Sequence, residues 1–140
     1  MAGKQILRDV QVTVNGTNFS DHISSVEVNA SKDEIDTTSF DGSGRERKAG
    51  LQDNSFVVNF QQDFDAGEVD AVLWPLWNAE NEFTVAVAPT VGAKSATNPS
   101  YEGTCILLEY SPLNGKAGEL SETSVTFPVQ RGTFVRDVTP

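Results

Sequence analysis

The stretch Asp41-Gly-Ser-Gly-Arg-Glu-Arg-Lys-Ala-Gly-Leu-Gln-Asp-Asn-Ser-Phe-Val-Val-Asn-Phe60 sets a polar, glycine-rich basic segment directly before an apolar alternation. Its first part, Asp41, Gly42, Ser43, Gly44, Arg45, Glu46, Arg47, Lys48, Ala49 and Gly50, holds three glycines and three cations. Such a segment cannot bury itself and predicts a mobile connection between strands. In the second part Phe56, Val58 and Phe60 alternate with Ser55, Val57 and Asn59, the period of two that marks a strand with one core face. Further on, Asp65-Ala-Gly-Glu68 has capping-box spacing with Asp65 in the Ser/Thr place. Val69, Val72, Leu73, Leu76 and Trp77 then fall on one helical face. The spacing predicts a helix over 66–78, kinked at Pro75 or ended near Trp74, because the proline ring meets the carbonyl of Ala71.

Toward the N-terminus, Val10, Val12 and Val14 alternate before Asn15-Gly16, a tight-turn dipeptide, and residues 19–23 bring the chain back as an opening hairpin. Residues 24–31 set Val26, Val28 and Ala30 against Ser25, Glu27, Asn29 and Ser31, a strand with one dry and one wet side. Residues 35–40 are a weaker β segment, so 41–50 is expected to join two antiparallel strands as a protruding hairpin. Toward the C-terminus, Phe83, Val85 and Val87 predict a strand closed by Pro89. Residues 101–110 and 120–129 predict a last long hairpin around Pro112-Leu-Asn-Gly115, and 131–138 a final strand or arm. The expected fold class is mainly β: a β-sandwich or open barrel with one flanking α-helix and a long protruding loop, in one domain over 1–140.

Twenty acidic against ten basic residues give a formal net charge of -10, which excludes broad attraction to DNA phosphates. A hydrophobic content of 38% is lean and suits a thin sandwich that gains burial by association. The lone Cys105 reads as a small core residue; one cysteine allows no intrachain disulfide, and ligand count excludes a zinc cluster. No apolar run approaches the roughly 20 residues that cross a bilayer. Met1-Ala-Gly-Lys-Gln5 leads into strand-like sequence without a signal-peptide core, so the expectation is a soluble chain made in the cytoplasm.

Reactive chemistry finds little support. His22, the sole histidine, lies beside Asp21 and a turn and reads as a surface residue rather than a catalytic base. Asp63-Phe-Asp-Ala-Gly67 with Glu68 and Asp70 has the look of a calcium loop, but its glycine comes one position early and the closing bidentate glutamate is missing, so capping is the better reading. Asp41-Gly-Ser-Gly44 lacks the Gly-Lys-Ser/Thr ending of a phosphate loop. Arg45, Arg47 and Lys48 make a poor nucleic-acid groove in an acidic chain and suit carboxylates on a neighbouring copy. Trp74 and Trp77 are expected in core and interface packing. No catalytic residue, metal ligand or cofactor is expected, and the chain does not read as an enzyme.

A glycine-rich basic loop, the phrase Gly50-Leu-Gln-Asp-Asn-Ser-Phe-Val-Val-Asn-Phe60, a Gln61-Gln-Asp-Phe-Asp65 link into one short helix, and then further strands resemble the tail tube proteins of long-tailed bacteriophages. The strand Tyr101-Glu-Gly-Thr-Cys-Ile-Leu-Leu108, the turn Leu113-Asn-Gly-Lys116, Ser124-Val-Thr-Phe127 and Gly132-Thr-Phe-Val-Arg136 are similar to that family's final hairpin and C-terminus. The resemblance covers nearly the whole chain and implies a structural subunit of stacked, hexameric rings forming a hollow conduit for DNA. It implies partners in the chain itself, a tape measure protein, and tail tip and terminator proteins, with DNA passing without specific binding, no membrane, and a place in the virion tail after assembly in the host cytoplasm. Contractile and non-contractile tails share such tubes. Carried onto this chain, Asp41 to Gly50 becomes the inter-ring or inter-subunit loop, and Ser25, Glu27, Asn29, Ser31, Ser55, Val57 and Asn59 become candidate channel-lining positions. The competing reading is a monomeric β-sandwich binding or virion decoration module, which calls for an exposed aromatic platform.

Overall fold

The computed structural model describes residues 6, 8–40 and 42–139. Residues 1–5 and Asp41, the first position of the expected loop, lie outside the described residues. Strand β1 (Gln11–Val14) turns at Asn15 and Gly16 into β2 (Thr17–Asn18). Both turn residues have positive φ, 51° and 84°, which a two-residue hairpin requires and which Asn and Gly adopt at least cost. A 3₁₀ turn at Ser20–His22 then cuts β2 short and redirects the chain into β3 (Ile23–Asn29). The hairpin β4 (Lys32–Asp36) and β5 (Arg47–Gln52) follows, then β6 (Ser55–Gln61), helix α1 (Val69–Ala79), β7 (Phe83–Ala88), β8 (Ser100–Cys105), β9 (Glu122–Pro128) and β10 (Val135–Asp137).

The strands form a five-stranded sheet in the order β10-β8-β7-β1-β2, a three-stranded sheet β3-β6-β9, and the separate two-stranded hairpin β4-β5. The two larger sheets share one core. Val12, Val14, Val85, Val87 and Cys105 come from one sheet, Phe56, Val58, Val125 and Phe127 from the other, and Val69, Leu73 and Leu76 from the helix. Phe127 meets Phe60 and Phe83 edge to face, with ring centroids 6.2 and 5.7 Å away, so one ring couples both sheets. The expected β-sandwich with a flanking helix and a protruding hairpin is what the chain forms.

Two local expectations are corrected. Residues 101–110 and 120–129 do not make a final hairpin: β8 pairs with β7 and β10, and β9 pairs with β6 in the other sheet. Only the bridge Cys105↔Val129 joins their ends. The intervening segment crosses between sheets, with Leu107 buried. The Tyr110 hydroxyl donates to Asp70 Oδ1 at 2.8 Å and accepts from Gln62 Nε2 at 3.0 Å. Burial pushes that hydroxyl up to about 12.

The helix starts at Val69, not Ala66, and Asp65 does not cap it; Glu68 is the N-cap residue, without a side-chain capping bond. Gly67, at φ 78°, turns the chain before the helix can begin. Asp63 instead accepts the Asp65 N–H on Oδ1 at 2.9 Å, while its carbonyl accepts the Asp70 N–H at 3.1 Å. At the far end α1 runs through Pro75 to Ala79 and closes on Glu80 at φ 57°. Its buried face of Val69, Leu73 and Leu76 fixes it against the sandwich and outweighs the lost backbone bond at the proline.

Candidate functional site

The three-stranded sheet brings six of the seven channel-side candidates together. In the β3–β6 ladder Ser25 faces Asn59, Glu27 faces Val57 and Asn29 faces Ser55. Alternation turns Val26 and Val28, opposite Val58 and Phe56, to the core, so these six share the outer face. Ser31 lies past the end of β3, where its N–H donates to Asn54 Oδ1 at 3.2 Å. Sequence reasoning missed the third strand of this face: Ser124 opposes Asn59 and Thr126 opposes Val57. The alternation of Thr123, Val125 and Phe127 with Ser124 and Thr126 carries that signal, but alternation does not say that this strand pairs with β6. Asn59 Nδ2 donates to Ser24 Oγ at 2.7 Å and to Glu122 Oε2 at 2.6 Å, lacing all three strands across the surface. None of the three strands contains Lys or Arg. Both edge strands, β3 and β9, are seven residues long.

The second region is the β4–β5 hairpin. The structure ends the expected loop at Glu46: Arg47, Lys48, Ala49 and Gly50 belong to β5, with Asp36 opposite Arg47 and Ile35 opposite Lys48. Beyond the strands, the Thr37 N–H donates to the Glu46 carbonyl at 2.8 Å and the Glu46 N–H to Thr38 Oγ1 at 2.7 Å. The pairing therefore extends outward, and Gly42, Ser43, Gly44 and Arg45 form the tip. Added bulk at Gly50 would meet Ile35 Cδ1 at 3.0 Å, so a glycine lets the Ile35 side chain lie across β5. Arg45 pairs with Asp36 at 3.3 Å and Arg47 with Glu34. Two of the three cations expected to meet a neighbour thus have partners within their own hairpin. Such exposed pairs are worth at most about 1 kcal/mol, and they can exchange partners at little cost. Ile35, Phe40 and Leu51 are exposed on this arm, and a two-stranded hairpin without a packed face is marginal in water.

The tryptophans of the helix lie outside the core. Trp74 and Trp77 stack with centroids 5.2 Å apart but stay on the surface, Trp77 Nε1 donating to the Leu108 carbonyl at 3.2 Å. His22 is not a free surface residue. Its Nδ1 lies 2.8 Å from Asp21 Oδ1, and its Nε2 lies 2.8 Å from Asp63 Oδ2 and 3.5 Å from Glu68 Oε2. The Asp21 hydrogen bond, then that to Asp63, raises the imidazole above its ordinary value. Asp63 is lowered, first by the Asp65 N–H and then by His22. Cys105 is buried in the core, and burial pushes its thiol up to about 12, which makes it inert.

No protein-family model matches the sequence, and no curated protein matches it. Solved structures do match. A chain in the virion of a native gene transfer agent particle superposes with a TM-score of 0.74 at 12% identity, covering 96% of this chain and 99% of that one. The SPP1 tail tube gives 0.71 at 14% identity over 96% of this chain and 81% of its own. This chain has the tail tube fold. A third neighbour, from the tail of an empty gene transfer agent particle with C6 symmetry, gives 0.64 at 12% identity, covering 83% of this chain and 82% of that one. The resemblance read from the sequence therefore holds at the level of the fold, over nearly the whole length.

Proposed function

We propose that this chain is the repeating subunit of a hollow tail tube, closing into hexameric rings that stack into a conduit for DNA. The observation that carries the reading is a pair of seven-residue edges, β3 and β9, on a sheet whose three strands contain no Lys or Arg, in a chain with the tail tube fold. Open edges of that length are templates for further pairing. Cyclic symmetry brings opposite edges of neighbouring copies together, so β9 of one copy meets β3 of the next and the ring leaves no edge behind. The C6 symmetry of one neighbour's tail supports six as the number.

In this arrangement Ser25, Glu27, Asn29, Ser55, Val57 and Asn59, joined by Ser124 and Thr126, line the channel, with Ser31 at its rim. Hydroxyls, amides and scattered carboxylates repel or ignore passing phosphates, where Lys or Arg would hold them. The β4–β5 hairpin and its tip, including Gly42 to Gly50, dock on an adjacent ring or subunit and there cover Ile35, Phe40 and Leu51. The role is structural, without catalysis. Its partners are further copies, a tape measure protein inside the tube, and tail tip and terminator proteins at its ends. Its place is the virion tail, after assembly in the host cytoplasm.

The test is negative-stain microscopy of the purified protein at high concentration, alone and with a tail-tip seed. Tubes of uniform diameter are expected. Shortening residues 43–48 to a tight turn should leave the melting curve nearly unchanged and abolish tube growth. A protein that stays monomeric under every seeding condition sinks the reading and favours the binding or decoration module.

A further inference from the structure

We infer that His22, Asp63 and Glu68 form a binding site for a divalent transition metal of the zinc class. The inference is independent of tube assembly and rests on convergence. His22 ends the 3₁₀ turn before β3, Asp63 lies in the link after β6, and Glu68 is the N-cap residue of α1. Residues 41 apart in the chain meet here, so no sequence spacing betrays the site. One ligand atom from each side chain lies within 4.8 Å of the others.

The distances suit a small tetrahedral ion. With metal–ligand bonds of about 2.1 Å, neighbouring ligand atoms stand about 3.4 Å apart. His22 Nε2 is 3.5 Å from Glu68 Oε2 and 2.8 Å from Asp63 Oδ2, so opening the second contact by about 0.6 Å admits the ion. Both carboxylates are partly exposed, and their side chains can make that adjustment. The other imidazole nitrogen is already committed: Nδ1 lies 2.8 Å from Asp21 Oδ1. That bond fixes the ring with Nε2 toward the carboxylates, the outer-shell arrangement that metal-binding histidines use. An imidazole at the centre separates this cluster from an ordinary acidic surface and disfavours calcium, which requires six to eight oxygens.

Three protein ligands leave a fourth position for water. Counting cysteines argued against zinc in the sequence, whereas the fold supplies a different ligand set. The bound ion would clamp three segments at one point: the turn entering edge strand β3, the β6–α1 link and the start of the helix. Glu68 offers no side-chain cap to α1, so its carboxylate is available to the metal.

The test uses untagged full-length protein, calorimetric titration with Zn²⁺, and Co²⁺ as a spectroscopic probe. Expected results are one Zn²⁺ per chain, a melting temperature that rises with Zn²⁺, and a visible tetrahedral Co²⁺ band that Zn²⁺ displaces. Asp21→Asn should weaken binding about 10- to 100-fold. His22→Gln and Glu68→Gln should abolish the Co²⁺ band while keeping the β-rich circular dichroism spectrum. Should His22→Gln fail to fold, Glu68→Gln decides, because its partly exposed side chain supports no core contact. Absence of binding to the native protein, or equal binding to native and Glu68→Gln protein, overturns the assignment.

Discussion

The five-stranded sheet ends in β2 and β10, two and three residues long, whereas the three-stranded sheet ends in β3 and β9, each of seven. Their outer faces differ in the same direction. Over the five-stranded sheet lies the segment 90–98, tied down by Lys94, which meets Glu102 of β8 at 2.7 Å and Asp137 of β10 at 2.9 Å. Asn98, nearly buried, holds the segment in shape by donating to the carbonyls of Thr90 and Ala93. The three-stranded sheet has no such cover among the described residues, only the Asn59 lacing on its own surface. Short strands with a covered face resist further pairing, and long bare ones invite it. One sheet of this sandwich ends in short strands under a tied-down segment, and the other ends in two seven-residue strands.

The largest expected effect tests whether the two sheets are one cooperative unit. Phe127 is fully buried between Phe60 and Phe83, so Phe127→Ala should cost about 3–5 kcal/mol in urea unfolding, with both sheets melting together. A separate early transition of β6 and β9 would mean that they are not. Next comes a tight contact between the sheets: a Cβ on Gly103 would sit 2.8 Å from Val129 Cγ1 and 3.5 Å from the Phe56 ring. Gly103→Ala should destabilise by about 1–3 kcal/mol through overpacking, and a neutral result would show that Val129 swings aside freely.

A third substitution should act in the opposite direction. Thr123 is buried on the core face of β9, and its hydroxyl lacks a hydrogen-bond partner. Thr123→Val should therefore raise stability by about 1 kcal/mol, read as a higher urea midpoint at unchanged slope. Loss of stability would reveal a bridging water.

Smaller still is the folding effect of Glu27→Lys on the bare face, within about 0.5 kcal/mol. On the proposed tube reading its consequence should appear in genome passage: tubes assemble, but ejection slows and then recovers with added salt as the Debye length shrinks from about 8 Å to about 3 Å. Normal ejection at low salt would place Glu27 on the outside of the tube. The smallest effect on global stability is expected from Lys94→Met, since that ammonium is solvent-screened. Its signature should be faster amide exchange confined to the segment 90–98; unchanged exchange there would show that Asn98, Arg136 and the Val91 backbone bond hold the cover without it.

Much of this molecule was legible in local pattern. The alternations at Val26 and Val28, at Phe56 to Phe60 and at Phe83 to Val87 read as strands because side chains on a pleated chain alternate faces. Asn15-Gly16 read as a hairpin turn because few other pairs accept two positive φ angles. The glycine-rich arm read as exposed because it has nothing to bury. Period two, however, reports only that a strand has an inside. It does not name the strand's neighbour, so residues 101–110 and 120–129 were paired with each other when they belong to different sheets. For the same reason Ser124 and Thr126 were missed on the face that Ser55, Val57 and Asn59 had already marked.

The sequence by itself determined the class of fold, the alternating core, the acidic surface and the resemblance to tail tubes, because each depends on composition or on neighbours a few residues apart. The tertiary structure decided which strands pair, which strands end each sheet, and that His22 meets Asp63 and Glu68. Those are long-range pairings, settled by the shared burial of Phe56, Phe60, Phe83 and Phe127. Buried apolar area carries no record of chain order, so only the folded core could select them.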